Sequence, residues 1–114
     1  MCNLESSNFA STVGGGRYND AQAQYATISG GGPSDPVSNP TTTNNRVTDD
    51  YGTIGGGGYN QAGNGGVDTN DARYATVGGG SENTASFVWS TVAGGYSNDA
   101  SGYTSTVGGG EGNT

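Results

Sequence analysis

The chain has 114 residues, enough for one small domain, and three Lys and Arg residues against ten Asp and Glu residues give it a net charge of −7. This charge excludes a basic nucleic-acid-binding protein. The sequence has no Lys and no His, so the commonest general bases, Schiff-base amines and imidazole metal ligands are missing. No stretch approaches the roughly 18 apolar residues of a membrane span. We therefore expect neither an enzyme nor a membrane-spanning segment.

The sequence is poor in large apolar residues, because Leu, Ile, Val and Phe number only 13 together while Gly alone contributes 24. Disorder is the default expectation for such a composition unless a periodic pattern overturns it. So small an apolar interior favours burial against other chains, and we expect identical chains as partners, in a homotrimer or a filament. Cys2 is the only cysteine, so no disulfide can form within the chain, and its role stays open.

A repeat follows a lead-in of residues 1–9 and occupies residues 10–114. Its marker is the dipeptide Thr-Val or Thr-Ile, which occurs six times at intervals of 15, 26, 23, 15 and 15 residues. The β-branched residue of each dipeptide anchors one unit, and the six anchors are Val13, Ile28, Ile54, Val77, Val92 and Val107. Gly follows every anchor at the second and third positions. The basic unit is therefore 15 residues long.

Two further positions of the unit are regular. The sixth residue after the anchor is Asn in five units, namely Asn19, Asn60, Asn83, Asn98 and Asn113. The eighth residue is Ala21, Ala62, Ala85 or Ala100, with Pro36 as the exception in the second unit. The last unit ends before this position, from which we expect the chain to be an excerpt of a longer fibre, truncated in mid-repeat.

A 15-residue unit with one β-branched strand signal, a Gly pair and an Asn predicts one coil of a parallel β-solenoid. The glycine content excludes helical repeats. The Gly pair permits a sharp turn, and the Asn closes a turn or pairs its amide with the Asn of the next coil. The predicted fold class is all-β: a β-roll of about six coils, with loop insertions in two adjacent intervals.

Alternation along each strand places the anchor inside and the preceding Thr outside. The outward threonine ladder comprises Thr12, Thr27, Thr53, Thr76, Thr91 and Thr106. Two residues before four of these threonines, on the same outer face, stand Tyr25, Tyr51, Tyr74 and Trp89. The sequence thus predicts an aromatic row beside a threonine row.

Two stretches carry a resemblance to known proteins: Tyr-Ala-Thr-Val-Gly-Gly-Gly-Ser-Glu-Asn-Thr-Ala at 74–85 and Ala-Ser-Gly-Tyr-Thr-Ser-Thr-Val-Gly-Gly-Gly at 100–110. These units resemble the head repeats of YadA-like trimeric autotransporter adhesins and, more closely, the Gly-rich repeats of surface proteins and phage tail-fibre proteins. The resemblance implies a left-handed parallel β-roll with three chains side by side, forming a rigid extracellular rod that carries adhesion. The Gly-Gly unit departs from the shorter small-x-Gly unit of those adhesins.

The two long intervals predict inserted loops on adjacent coils, at about residues 37–50 and 63–73. We expect both loops to leave the coil at one corner, after the eighth position, and to form a single protrusion. Loops on a rigid scaffold commonly carry recognition. The candidate binding surface in and beside them comprises Arg46, Asp49, Asp50, Tyr51, Tyr59, Arg73 and Tyr74. It would suit a glycan or a cell-surface receptor, with aromatic faces on sugar rings and carboxylates accepting from hydroxyls; decoration of an exposed corner is the alternative.

Other chemistry in the loops has less support. Gly65-Gly66-Val67-Asp68 matches one fragment of a Gly-rich nonapeptide that binds Ca²⁺, which makes Asp68 and Asp71 candidate ligands. The adjacent pair Asp49 and Asp50 is of a kind that glycan-cleaving enzymes use, but adjacent loop carboxylates are ordinarily just solvated. We expect no other cofactor and no catalytic residue.

Taken together, the pattern predicts a structural and adhesive segment of an extracellular fibre, on a cell surface or in a virion. A phage tail-fibre shaft is the first alternative, physically alike and different in context. An ice-binding solenoid is the second, because a flat outward threonine ladder is the surface that such proteins use.

Overall fold

A computed structural model describes the backbone of residues 4–6 and 10–114 and the side chains of residues 10–114, so Cys2 lies outside the described residues. These residues form twelve short strands and two parallel six-stranded sheets. The strands in chain order are β1 (Leu4–Ser6), β2 (Thr12–Val13), β3 (Asn19–Ala21), β4 (Thr27–Ile28), β5 (Arg46–Val47), β6 (Thr53–Ile54), β7 (Gln61–Ala62), β8 (Thr76–Val77), β9 (Thr84–Ala85), β10 (Thr91–Val92), β11 (Asp99–Ala100) and β12 (Thr106–Val107).

The chain alternates between the two sheets, so that each coil contributes one strand to each. Odd-numbered strands form the first sheet in the order β1-β3-β5-β7-β9-β11, and even-numbered strands form the second in sequence order. Single parallel bridges link Gly32, Gly58, Ser81, Tyr96 and Glu111 along a third line. This alternation of parallel strands confirms the predicted parallel β-solenoid.

Apolar side chains fill the interior in two facing rows. The anchors Ile28, Ile54, Val77 and Val92 of the second sheet are fully buried, and Val13 and Val107 pack against them, partly buried. Opposite them stand the small residues Ala21, Val47, Ala62, Ala85 and Ala100 of the first sheet. The anchors pair directly from strand to strand, as Val77 with Val92 and Val92 with Val107, so that they stack in line.

Asparagine amides make the third row of the interior. Asn19, Asn45, Asn60, Asn83 and Asn98 are almost completely buried. The Nδ2 of Asn83 donates to the carbonyl of Gly79 in its own turn (2.9 Å) and of Gly95 in the next coil (2.8 Å). Its Oδ1 accepts from the backbone N–H of Asn98 (3.0 Å) and from the Nδ2 of Asn98 (3.2 Å). Because each amide serves two coils, the ladder satisfies glycine carbonyls that face a dry interior.

The second unit is threaded differently from the sequence prediction. Asn45 occupies the asparagine row, donating to the Oδ1 of Asn19 at 3.1 Å, and Val47 pairs with Ala21 and Ala62. Val47 therefore occupies the alanine row in this coil, and the expectation that Pro36 does so is wrong. The first inserted segment lies between Gly32 and Asn44, so residues 44–50, which were placed in the loop, belong to the coil.

The two inserted segments consequently leave the coil at different corners. The first precedes a strand of the first sheet, whereas the second, which follows Gly63, comes after such a strand. The predicted single protrusion at one corner is thus wrong. The lead-in boundary also changes, because β1 lies within residues 1–9 and pairs with β3 from Leu4↔Asn19 to Ser6↔Ala21.

One coil adapts its packing to a larger residue. Val47 stands where the neighbouring coils have Ala, and Gly52 stands opposite it, where other coils have Ala or Ser. A Cβ on Gly52 would lie 2.5 Å from the Cγ1 of Val47. The extra volume of Val47 therefore requires glycine at position 52.

The two glycines of the Gly pair have different roles, which gives a matched test. Gly80 has φ +87°, and a Cβ there would lie 2.1 Å from the carbonyl oxygen of Gly95, whereas a Cβ on Gly79 would meet nothing within 4 Å. We expect Gly80→Ala to lower the free energy of unfolding by about 2–4 kcal/mol, and Gly79→Ala to change it by less than about 1 kcal/mol. Equal effects of the two substitutions in urea unfolding would contradict the close coil stacking.

The asparagine ladder predicts a second stability difference. Asn83→Ala removes two donations to glycine carbonyls and leaves the N–H of Asn98 without its acceptor, so we expect a loss of about 2–4 kcal/mol in unfolding free energy. The exposed Asn70 of the second inserted segment supplies the control, and Asn70→Ala should stay within about 0.5 kcal/mol. Thermal or urea unfolding checks both, and an unchanged midpoint for Asn83→Ala would refute the role of the ladder.

Candidate functional site

An exposed column of aromatic rings runs along one corner of the solenoid. We call Tyr25, Tyr51, Tyr74 and Trp89 the aromatic column. Successive ring centroids are 4.9, 4.8 and 5.9 Å apart, and the planes differ by 14–20°. The two spacings between tyrosines equal the distance between parallel strands, because each coil places the same corner one strand further along the axis. The rings are 39–51% exposed, so the column is open to solvent on its outer side.

Two more rings extend the column at its C-terminal end. The ring of Tyr103 contacts Trp89 edge-on at 5.7 Å and Phe87 at 6.2 Å. Both added rings are exposed, Tyr103 by 61% and Phe87 by 43%. The six residues are 39–61% exposed, so the column and these two rings form one continuous exposed aromatic surface.

The backbone beneath the column is strained. Tyr25, Tyr51, Tyr74 and Trp89 all have φ between +56° and +64°. Bulky L-residues adopt this left-handed conformation at a cost of about 1–2 kcal/mol each, and Gly or Asn would relieve it. Large rings therefore occupy positions where the local backbone favours small residues. Ala10 and Thr104 have a similar φ at the matching place of the first and last coils, so this conformation belongs to the coil itself.

Stacking changes what the column can bind. The ring faces of Tyr51 are covered by Tyr25 and Tyr74, and one face of Tyr74 by Trp89, so that mainly ring edges meet solvent. The expectation that the faces of Tyr51 and Tyr74 stack on sugar rings is wrong for this reason. The column instead presents a ridge of edges and phenol hydroxyls, which suits a packed protein surface.

Asp49, expected on the binding surface, is instead completely buried. Its carboxylate accepts from the Thr48 hydroxyl (3.0 Å), the N–H of Asn64 (3.0 Å) and the N–H of Ala72 (3.0 Å). Burial raises the pKa of Asp49 above its ordinary value of 3.8; the Thr48 hydrogen bond opposes the rise, and a shared hydrogen bond with Asp71 adds to it. Asp49 therefore fastens both ends of the second inserted segment.

The other charged candidates flank the aromatic column. Asp50 is half-buried, and its Oδ1 accepts from the N–H of Gln24 at 3.1 Å. Arg73 is exposed on the next coil, and its carbonyl accepts from the N–H of Trp89 at 3.1 Å. The anionic Asp50 therefore precedes Tyr51, and the cationic Arg73 precedes Tyr74 on the next coil.

The calcium candidates are engaged within the second inserted segment. The Oδ1 of Asp68 accepts from the N–H of Asn70 at 3.1 Å, and the Oδ1 of Asp71 accepts from the Nδ2 of Asn64 at 2.8 Å. Among residues 4–6 and 10–114, no group of three or more acidic, Cys or His residues is placed to hold a metal ion. Nothing in the geometry thus adds to the sequence fragment that suggested Ca²⁺.

The remaining candidates, Arg46 and Tyr59, come together at a cleft of about 230 Å³ on the face of the first sheet. Gln61, Glu82 and Thr84 complete the lining. The Oη of Tyr96 donates to the Oε1 of Glu82 at 3.3 Å, and the charge of Glu82 raises the pKa of this phenol above its ordinary 10.0. The cleft therefore belongs to the regular coils and not to the inserted segments.

The threonine ladder lies in register along the second sheet, from Thr12↔Thr27 to Thr91↔Thr106. Its inner members are half-buried, and only those in the first and last strands, Thr12 and Thr106, are exposed. The aromatic column stands beside this ladder along four coils. The combined surface is accordingly ridged and not flat.

Comparison of this chain with family models and with curated protein sequences finds no match. Among the described residues, no helix is long and apolar enough to span a membrane. The fold, a parallel β-solenoid with strands alternating between two sheets, is thus defined by the structure itself.

Sequence reasoning missed Gln61, Glu82 and Thr84 in the cleft, and Phe87 and Tyr103 at the end of the column. The first three belong to variable positions of the unit, where no repeat signal marks them. The aromatic residues carried a signal, because Tyr103 follows Phe87 by 16 residues, close to one unit length. Counting aromatic residues along the whole corner would have found both.

The buried carboxyl of Asp49 predicts a distinctive pH dependence. Its pKa is higher in the folded chain than in the unfolded chain, so its contribution to stability is full below about pH 4 and is lost as the pH rises through the folded-state value. The advantage of the natural protein over Asp49→Asn in unfolding free energy should therefore shrink as the pH rises above the ordinary value of 3.8.

Asp35 supplies the opposite control. The backbone N–H of Ser38 lowers its pKa, so its contribution is present above the ordinary value of 3.8 and is lost as the pH falls through the folded-state value. The difference between the natural protein and Asp35→Asn should grow with pH. Parallel trends for the two variants in urea unfolding would contradict the burial of Asp49.

Proposed function

We propose that the chain is a structural and adhesive segment of an extracellular fibre, on a cell surface or in a virion, and that it associates with identical chains through the aromatic column. The exposed and stacked column carries the proposal. Exposed apolar side chains that group into one continuous patch mark contact surfaces between proteins. The repeating coil supports the structural role, because stacked coils extend as a rod of constant cross-section.

The regular spacing of the rings favours an identical chain as the partner. A ridge that repeats every 4.8–5.9 Å is matched along its length by a surface with the same axial repeat. A second copy presents such a surface, whereas a partner of different architecture would meet the ridge in register at only one or two rings. None of the six residues that carry these rings is charged. Two chains of net charge −7 therefore repel each other less when they meet at the column than when they meet at a charged surface.

The charges beside the column complement one another between copies. Asp50 and Arg73 flank the column on adjacent coils. When two copies pack side by side in opposite directions about a two-fold axis between Tyr51 and Tyr74, Asp50 of each copy lies opposite Arg73 of the other. Such pairing favours association in one register over others.

The in-register threonine ladder is the feature that favours an ice-binding surface. The neighbouring rings project beside it, and its inner members are half-buried. A flat plane of an ice crystal makes less contact with a ridged surface than a second ridge does. For this reason the fibre is the better supported of the two proposals.

Sedimentation velocity of the purified protein tests the association. The double variant Tyr51→Asn, Tyr74→Asn removes the middle of the column, and Asn tolerates the φ values of +61° and +64° at these positions. We expect the natural protein to sediment as an assembly, and the variant to lose about a hundredfold or more in association constant while keeping its circular dichroism spectrum.

Tyr18→Asn is the matched control, because Tyr18 has a similar φ of +57° and lies outside the column. This variant should assemble like the natural protein. A monomeric natural protein, or a double variant that assembles normally, would refute the proposal. The mass of the assembly additionally separates a pair of chains from the trimer that the resemblance implies.

A further inference from the structure

The cleft lined by Arg46, Tyr59, Gln61, Glu82 and Thr84 brings a guanidinium, a carboxylate, a carboxamide, a hydroxyl and a phenol to one place on the solenoid surface. We propose that this cleft binds one neutral monosaccharide unit of a glycan. The inference rests on the adhesive role proposed above and names the site that performs it.

The floor of the cleft is built by the register of three strands. Arg46, Gln61 and Thr84 face outward at the same position of β5, β7 and β9, because Arg46 pairs with Gln61 and Gln61 with Thr84. Their polar groups therefore follow one another at about 4.8 Å, the strand spacing. A guanidinium, a carboxamide and a hydroxyl in one line offer donors and acceptors to neighbouring hydroxyls of one sugar ring.

The wall of the cleft supplies a carboxylate and an aromatic ring. Glu82 is half-buried, and the hydrogen bond from the Tyr96 phenol holds its carboxylate in place. A carboxylate accepts from hydroxyls through charge-assisted hydrogen bonds, while Arg46 only donates, so the pair serves both functions of a sugar hydroxyl. The opposite charges of Arg46 and Glu82 favour a ligand without net charge.

Tyr59 differs from the rings of the aromatic column. It is 38% exposed, and the corresponding residues of the neighbouring coils are Asn44 and Glu82, so no aromatic ring among the described residues stacks on it. Its ring can therefore pack against the apolar C–H face of a sugar, which the covered rings of Tyr51 and Tyr74 cannot. Its φ of +56° is close to that of Tyr18 and Glu82 at the matching place of other coils, so this conformation belongs to the coil.

The size of the cleft fits this ligand. The volume of about 230 Å³ lies below the range of about 300–1,000 Å³ typical of drug-sized ligands and suits one sugar ring.

The test is a titration of the ¹⁵N-labelled Tyr51→Asn, Tyr74→Asn variant, followed by amide chemical shifts. This variant separates sugar binding from self-association, because the middle of the column is already removed. The probes are the methyl glycosides of galactose, glucose and mannose. Glycine is added as a zwitterion whose two charges complement those of Arg46 and Glu82. We expect at least one glycoside to give saturable shifts that include the amides of Tyr59, Gln61 and Thr84.

Variants of the cleft identify the groups that bind. Tyr59→Asn should weaken the affinity for that glycoside about tenfold or more, and Glu82→Gln, which keeps the shape of the side chain, should also weaken it. Tyr18→Asn is the control, since Tyr18 holds the same corner position in another coil with φ +57° and lies outside the cleft. It should leave the affinity unchanged.

The outcomes separate the two proposals. No saturable shift with any glycoside, shifts away from the cleft, or glycine binding in place of the sugars would each overturn the saccharide site. These results would leave the proposed self-association standing, because sedimentation of the natural protein decides it independently. Conversely, a natural protein that remains monomeric yet binds the glycoside would support the cleft alone.

Discussion

The buried asparagine amide is the interaction on which the rest of the solenoid depends. A coil of 15 residues encloses too little apolar volume for a conventional core, and its tight turns direct glycine carbonyls inward. Each Asn donates to carbonyls of its own coil and of the next, and its Oδ1 accepts from the following Asn. The polar interior therefore satisfies itself, and the register of neighbouring coils is fixed by groups that would be costly to leave unpaired.

Fixed register in turn creates the outer surface. Since equivalent residues of successive coils lie one strand spacing apart, any side chain repeated at a corner forms a row. Rings at this spacing cover one another's faces, as in the aromatic column, whereas a ring between unlike neighbours keeps its faces free, as at Tyr59. The same backbone thus produces an edge-on apolar ridge at one corner and a polar cleft with an available ring at another.

Much of this architecture could be predicted from the sequence. The anchors and the Gly pair recur at fixed offsets, which indicated the strand and the turn of each coil. The second unit was misread because counting forward from Ile28 crosses the inserted segment, and Pro36 then falls on the alanine row. Counting backward from Ile54 by seven residues reaches Val47, just as Ala21 precedes Ile28 by seven. The seven-residue path from the first sheet to the second is thus kept in this coil, whereas the path from the second sheet back to the first contains the inserted segment.

The site was less accessible to sequence reasoning, for physical reasons. Asp49 stands in a stretch whose composition is typical of a loop. Only the folded chain shows three hydrogen bonds converging on its carboxylate. The cleft is assembled from variable outward positions of three strands, which no periodicity marks. The aromatic row could be read from the sequence. That its rings cover one another's faces follows only when the row is placed at the spacing of parallel strands.

The contact between Val47 and Gly52 constrains how this sequence can change. A methyl group on Gly52 meets the Cγ1 of Val47 at 2.5 Å, although Ala is normal at the matching place in other coils. The substitution Gly52→Ala is therefore accommodated only after Val47→Ala has made room, and that first step removes two buried methyl groups at a cost of about 2–3 kcal/mol. The two positions are epistatic: their changes are not additive, and an evolutionary path that restores the common coil has one accessible order.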